Sequence, residues 1–300
     1  MKIAILSKGP ANYSTKRLRE EALLRGHEVR VINYAKCYVT LESSNPVVRY
    51  EGEELGDIDV IIPRISSSLT MYGSSIVRQF EMQNVFTTTS SISLVRARDK
   101  LRATQLLAKS GIGIPKTVFA RETADLSDVL DQVGGAPVII KVARGTHGKG
   151  VVLAETRKAA EAVMQAFYVE GVNFLVQEFV AESAGTDIRA FVVNGKVVAS
   201  MRRQSLDDDF RSNLHQGGEG SPIKLTDEER KTAQRAAKSM GLAICGVDMM
   251  RSNRGPLVLE VNASPGFGIE KVTGHNVAVQ IIEYVEQNAL RTRRKDRIGA

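Results

Sequence analysis

Tryptophan is absent from this chain, cysteine occurs twice, and aromatic residues make up 5% of its 300 positions. Each scarcity excludes something. Cys37 and Cys245 lie far apart and in no ligand spacing, so neither a disulfide framework nor a zinc site is indicated. Sparse aromatics leave few platforms on which bases stack, and no nucleic-acid motif is present, so a specific nucleic-acid partner is not expected. No apolar run approaches the roughly 20 residues of a membrane span. The start, Met1 to Leu6, is too short and too lightly flanked for a signal peptide. The four histidines, His27, His147, His215 and His275, show no paired spacing, and no Ser-His-Asp or Cys-His set stands out. The chain reads as cytoplasmic, with no membrane partner.

What is present is ordinary for a globular protein, with 43% hydrophobic and 25% charged residues. A net charge of +7 suits anionic partners. Much of it sits in the last ten residues, Arg291 to Ala300, which read as a solvated basic tail.

The order of elements divides the chain. Strands at Lys2–Leu6, Glu28–Asn33 and Asp59–Arg64 alternate with helices from Ser14 and near Met71–Gln83, which predicts a small parallel α/β unit over residues 1–93. A helix follows from about Val95 to Ser110. Strands at Pro137–Ala143, Val151–Glu155 and Phe174–Val180 then make a compact α+β unit over residues 94–184. Strands at Ile188–Val193 and Val197–Arg203 are joined by Asn194-Gly195, a hairpin signal. With helices at Asp227–Met240 and Val277–Ala289 they form a unit over residues 185–290, and residues 291–300 are the tail.

The most informative run is Leu257 to Gly266. As an alternating strand it places Glu260 and Asn262 on one face. Upstream, Asp248 lies in Gly246-Val247-Asp248, and Ser252-Asn253-Arg254-Gly255 reads as a hairpin turn. A turn centred on Arg254 sets Asp248 opposite Glu260. Facing carboxylates repel, and a hard cation such as Mg²⁺, which takes one or two carboxylates and substrate phosphates, answers that repulsion.

The loop Arg144-Gly145-Thr146-His147-Gly148-Lys149-Gly150 joins two strands, and its glycines let backbone amides approach an anion. It is neither a P-loop nor a dinucleotide fingerprint. Lys141 lies within an apolar strand, where a lysine wants an anionic partner such as phosphate. The backbone of Leu175–Val180, including Glu178 and Phe179, offers an edge for adenine, and Asp187 is placed to reach ribose hydroxyls. Phe210-Arg211-Ser212-Asn213 brings a guanidinium and an amide to one turn, suited to a transferring γ-phosphoryl group. Arg202 and Arg203, at a strand end, are further candidates for an acyl phosphate or a carboxylate.

In this order Lys100, Lys141, the glycine loop, Gln177-Glu178-Phe179-Val180, Asp187 and Asp248…Glu260-x-Asn262 resemble an ATP-grasp enzyme. The segments Arg96-Ala97-Arg98-Asp99-Lys100-Leu101-Arg102, Phe210 to His215, Gly246-Val247-Asp248 and Glu260 to Gly266 resemble, more narrowly, the RimK-type α-L-glutamate ligases. The resemblance spans essentially the whole chain. It implies an α/β pre-ATP-grasp domain followed by a two-lobed α+β ATP-grasp fold. It implies ATP held by Lys100, Lys141, Glu178, Phe179, Asp187, Arg211, Ser212 and Asn213, with Lys141 and Arg211 acting on the phosphoryl group. Two Mg²⁺, or Mn²⁺, would be held by Asp248, Glu260 and Asn262, with Glu260 bridging. Members of this type add L-glutamate to the C-terminus of the sixth small-subunit ribosomal protein, some polymerise glutamate, and they commonly form tetramers.

The chemistry so implied is amide formation through an acyl phosphate, which depends on positioning and charge neutralisation rather than on a protein nucleophile. Rival readings are an ATP-grasp ligase for a carrier protein or a cofactor, and a non-catalytic basic RNA- or ribosome-binding protein. A nicotinamide enzyme is set aside, because Lys8-Gly9-Pro10 lacks the needed glycine spacing.

Overall fold

Residues 1–43, 46–121, 125–143, 150–183, 185–205 and 219–289 are described by a computed structural model. The chain opens with β1 (Lys2–Ser7), α1 (Tyr13–Leu24) and β2 (Glu28–Ile32). Three short strands, β3 (Cys37–Thr40), β4 (Val47–Tyr50) and β5 (Glu53–Glu54), follow before β6 (Val60–Arg64), α2 (Thr70–Met82) and β7 (Phe86–Thr87). Strands β2-β1-β6-β7 make a wholly parallel sheet, as the strand–helix alternation predicts. Strands β3-β4-β5 form a separate antiparallel sheet that the sequence reading does not anticipate. Its signal is Glu51-Gly52, both at positive φ, a tight turn that glycine makes easy.

The helix expected from Val95 to Ser110 is two helices. α3 (Ser91–Arg98) and α4 (Lys100–Lys109) are broken at Asp99, whose backbone is extended. The Asp99 carboxylate accepts a hydrogen bond from the Arg102 amide at 3.0 Å, which starts a new helix and sets Lys100 in its first turn. The expected division at residues 93 and 94 falls inside α3, which packs on α2, on the later helix α7 (Asp227–Met240) and on the later strand β16 (Gly255–Asn262).

The central lobe holds β8 (Thr117–Ala120), α5 (Leu126–Gln132), β9 (Val138–Val142), β10 (Val151–Ala154), α6 (Arg157–Val169) and β11 (Phe174–Glu178). Its antiparallel sheet runs β10-β9-β11-β8. Val129, Leu130, Ile140, Met164, Phe174 and Val176 close a core of its own against α5 and α6. The last lobe is an antiparallel sheet in the order β14-β13-β12-β15-β16. Its other strands are β12 (Thr186–Val193), β13 (Lys196–Gln204), β14 (Glu219–Pro222) and β15 (Ile244–Ser252). Asn194 and Gly195 have φ of 50° and 73°, as the predicted hairpin requires. α7 begins with a capping box of Thr226 and Glu229, and α9 (Val277–Ala289) follows the short α8 (Gly268–Thr273).

One face of this sheet (Ile188, Ala190, Val192, Val247, Val258, Val261) shares a core with α7 and with Leu6, Ile61 and Phe80 of the amino-terminal part. The other face is apolar at one end, where Phe191 and Met201 pack near Phe267, Ile281 and Ile62. At its other end that face carries charge.

Candidate active site

The hairpin of β15 and β16 delivers the expected opposition by an unexpected route. Its turn pairs Ser252 with Gly255, so a regular ladder would set Asp248 against Leu259. A bulge between Asp248 and Met249 shifts the register by one, and Asp248 then faces Glu260 and Gly246 faces Asn262. The strict alternation read from the sequence is therefore broken. Val258 and Val261, three apart, both enter the core shared with α7, while Glu260 and Asn262 turn to the opposite face. The Asn262 Nδ2 donates to Glu260 Oε1 at 2.7 Å, which leaves the amide oxygen and the rest of the carboxylate for another partner.

Across the same face the register aligns Arg203 with Asp187, and Arg189 with Asp248. Arg203 Nε donates to Asp187 at 2.6 Å, with its Nη2 on the second oxygen of that carboxylate and 3.0 Å from Asp248. Arg189 grips Asp248 with Nε at 2.6 Å and Nη2 on the other oxygen. Asp187, Arg203 and Asp248 are 6%, 2% and 2% exposed, so this is a buried charge network and each member depends on the others. Burial alone would raise the Asp248 carboxyl; the two guanidiniums outweigh it and hold it well below the usual carboxylate range. The Asp187 carboxylate, expected at a ribose, is occupied by Arg203. Arg203 in turn is committed to the two aspartates, and Arg202 is exposed on the opposite face.

A second layer of cations faces Glu260. Lys141 is in the interior of its sheet rather than at an edge. Burial brings its ammonium down to about 8, with Lys100 pushing the same way and Glu260 opposing. Lys100 reaches from α4 to donate to the Val142 carbonyl at 3.1 Å, and burial lowers its pKa as well. Arg98 and Arg64 complete the layer, with Arg64 reduced by burial and by Arg98 to about 10. Among the described residues, six cations (Arg64, Arg98, Lys100, Lys141, Arg189 and Arg203) thus gather about three carboxylates (Asp187, Asp248 and Glu260). Such an excess calls for anions.

The central lobe joins at the tip of the hairpin. β11 is flanked by β9 and β8, so it is not the open edge the sequence suggests. Glu178 at its end accepts from the Lys116 amide at 2.7 Å and from the Arg254 guanidinium, and the partly buried Phe179 follows as the chain leaves the sheet. Glu182 accepts from the Asn253 amide at 3.0 Å. Arg211, Ser212, Asn213, His215 and the loop from Arg144 to Lys149 lie outside the described residues. Arg64 and Arg189 were legible in principle. Arg64 ends a parallel strand, the end at which open α/β sheets hold ligands, and Arg189 shares a strand face with Asp187.

The donor set at the hairpin is all oxygen, which suits a hard divalent cation. Among the described residues no group of three His, Cys, Asp or Glu is placed to hold a metal. Two carboxylates and one amide lie there, Asp248 with both oxygens held by Arg189 and Arg203, and Mg²⁺ commonly takes further ligands from phosphates and water.

Comparison with known proteins bears on this arrangement. A RimK-like ATP-grasp domain matches residues 97–285, and a RimK pre-ATP-grasp domain matches residues 1–94. A probable alpha-L-glutamate ligase of Teredinibacter turnerae is 55% identical over 298 residues, 99% of each chain. Among solved structures, the ATP-grasp ligase PsnB complexed with minimal precursor, Mg and ADP superposes with a TM-score of 0.73 at 18% identity, covering 97% of this chain and 98% of that one. D-alanine–D-alanine ligase from Bacillus anthracis complexed with ATP gives 0.67 at 18%, covering 98% of each. These distant structures share the fold, and the family matches run from residue 1 to residue 285. A cation-rich seam between two ATP-grasp lobes, a carboxylate hairpin and a full-length match together establish that the chain belongs to the RimK family of ATP-grasp ligases.

Proposed function

We propose that this chain is an ATP-dependent α-L-glutamate ligase, adding glutamate to the C-terminus of a small-subunit ribosomal protein, to a growing poly-α-glutamate chain, or to both. The observation that carries this reading is the seam: Asp248, Glu260 and Asn262 on one strand pair, facing Lys100 and Lys141 from the neighbouring elements. Lys141 and Lys100 bind the phosphates as point charges, and Arg211, Ser212 and Asn213 hold the γ-phosphoryl group. Glu178 and Phe179 take the adenine, and Asp187 the ribose once its carboxylate is shared with Arg203. Asp248, Glu260 and Asn262 would hold the Mg²⁺, or Mn²⁺, ions, two by the family resemblance, and the ions would neutralise phosphate charge there.

The acceptor carboxylate oxygen attacks the γ-phosphorus, and the bond to the β-phosphate oxygen breaks to leave an acyl phosphate and ADP. The glutamate amine then attacks the acyl carbon and loses a proton, and phosphate departs with the carboxylate oxygen. Lys141 and Arg211 stabilise the transferring group by charge, and the lobes orient the reactants and exclude water. Residues 1–93, 94–184 and 185–290 act as pre-ATP-grasp domain, central lobe and metal-binding lobe, with residues 291–300 as a basic tail. The reading places the protein in the cytoplasm as a homo-tetramer; exposed Leu41 and Met71 supply apolar surface for assembly.

Mass spectrometry of the protein with Mg-ATP and L-glutamate tests this, with and without the ribosomal acceptor. The reading expects ladders spaced by one glutamate residue. ATP turnover with no glutamate product would replace the amine or the acceptor in the proposal.

A further inference from the structure

Two guanidinium groups adjoin this site without an ion pair among the described residues, Glu260 acting on Arg98 only from a distance. Arg64 closes β6 and Arg98 closes α3, and they meet near the loop that follows β16. Arg64 Nη2 donates to the Pro265 carbonyl at 2.7 Å, and its guanidinium carbon lies 5.2 Å from the centre of the Phe267 ring. Arg98 Nη2 donates to the Ile65 carbonyl at 2.8 Å, while its Nε is buried with no hydrogen-bond partner among the described residues. Neither residue forms an ion pair among the described residues.

The contrast within the fold is sharp. Arg203 and Arg189 are matched by Asp187 and Asp248, Arg251 by Glu229, and Arg17 by Glu270. The loop beside Arg64 also contains Ser264, whose buried Oγ has no partner among the described residues. A Cβ built on Gly266 would meet nothing within 4 Å, so open space adjoins the loop. Packing ties this spot to the catalytic face, because a Cβ on Gly246 would lie 3.1 Å from Pro265 and 3.7 Å from Arg189. Two unmatched guanidiniums out of bulk water are unfavourable until an anion joins them. The planar fork of arginine matches a carboxylate better than it matches any other common metabolite group except phosphate, and the phosphates already have Lys100 and Lys141.

We infer that Arg64 and Arg98, with the Ser264 hydroxyl, form the site that holds a carboxylate of the amino-acid or acceptor substrate while its reacting group lies over Glu260. This rests on the ligase reading. The carboxylate comes either from the incoming L-glutamate or from the glutamate-terminated acceptor, and separate titrations distinguish the two sources.

The test is calorimetry on the full chain loaded with Mg²⁺ and a non-hydrolysable ATP analogue, titrated separately with L-glutamate and with a Glu-Glu dipeptide. L-glutamine, which keeps the α-carboxylate and lacks only the side-chain one, shows which of the two carboxylates the site holds. Arg98→Gln and Arg64→Gln should weaken binding of one titrant on the order of tenfold or more while the analogue still binds, since a charge-assisted pair is lost. Arg98→Lys, which keeps the charge but loses the fork, should weaken the same titrant and serves where the glutamine variant does not fold. Whichever titrant weakens identifies the source. Wild-type affinity for both titrants in a folded Arg98 variant overturns the inference and leaves the ligase reading standing. Wild-type protein that binds neither titrant overturns both.

Discussion

Asp248 and Glu260 stand opposite one another in the same strand pair but in different electrostatic surroundings. Asp248 is buried and gripped by two arginines, whereas Glu260 is exposed. Disturbing each of these surroundings therefore has a different consequence. Glu260→Ala should leave the unfolding transition in place and reduce ATP turnover at least about a hundredfold, the scale seen when a key electrostatic group is lost; ADP release and a urea melt on the same sample check it. Arg203→Leu should instead unfold readily, losing about 3–5 kcal/mol by leaving Asp187 and Asp248 without their shared partner, and a urea melt alone decides that. Lys141 gives a pH signature. Its folded value near 8 is below the ordinary 10.5, so the unfolded chain holds the proton more tightly between those values and stability rises with pH across that window. Phosphate binding needs the protonated form, so ATP affinity should fall as pH passes 8, and Lys141→Arg should flatten that fall. Equal pH profiles for the two proteins would contradict the assignment. Lys141, Asp248, Glu260 and Asn262 were legible from residue type and spacing. The grip of Arg189 and Arg203 was not, because it depends on which strands become neighbours.

Two local features position these side chains, and they differ in how far the sequence reveals them. The opposition of Asp248 and Glu260 follows from a hairpin reading, but the bulge that produces it does not, because turn length and ladder slip are interchangeable in a pattern of alternating residues. The break at Asp99 is the reverse case. Its capping signal was present in the sequence, and the helical periodicity on either side hid it. Asp99→Ala should cost about 1 kcal/mol of stability. It should also weaken ATP binding, since the first turn of α4 carries Lys100 to the Val142 carbonyl. Asp99→Asn, another good cap, should restore both in paired denaturation and nucleotide titrations. The small β3-β4-β5 sheet escaped notice because its strands are short and mix polar with apolar residues, which removes the period-two signal.

At the scale of the whole molecule, three cores among the described residues underlie the candidate site's geometry. Two are shared by the amino-terminal sheet and the last lobe, and the third belongs to the central lobe alone. The candidate site lies where the last lobe meets the central lobe, so a nucleotide placed there would touch both and act as a clamp. Mg-ATP at a hundred times its dissociation constant should add about 2.7 kcal/mol of linked stabilisation and so raise the melting temperature; scanning calorimetry with and without nucleotide measures it. The order of motifs along the chain was enough to read the fold, because an ATP-grasp site is assembled from elements in fixed succession. The shared cores were beyond the sequence, since they join residues such as Leu6 and Val258 that stand far apart in it. The central claim is that this seam activates a carboxylate by phosphoryl transfer. It is tested most directly by supplying an acceptor whose terminal carboxylate carries ¹⁸O and analysing the phosphate released during glutamate addition. The account predicts transfer of one labelled oxygen to phosphate for the first amide formed on each acceptor. Unlabelled phosphate accompanying that first addition would contradict it.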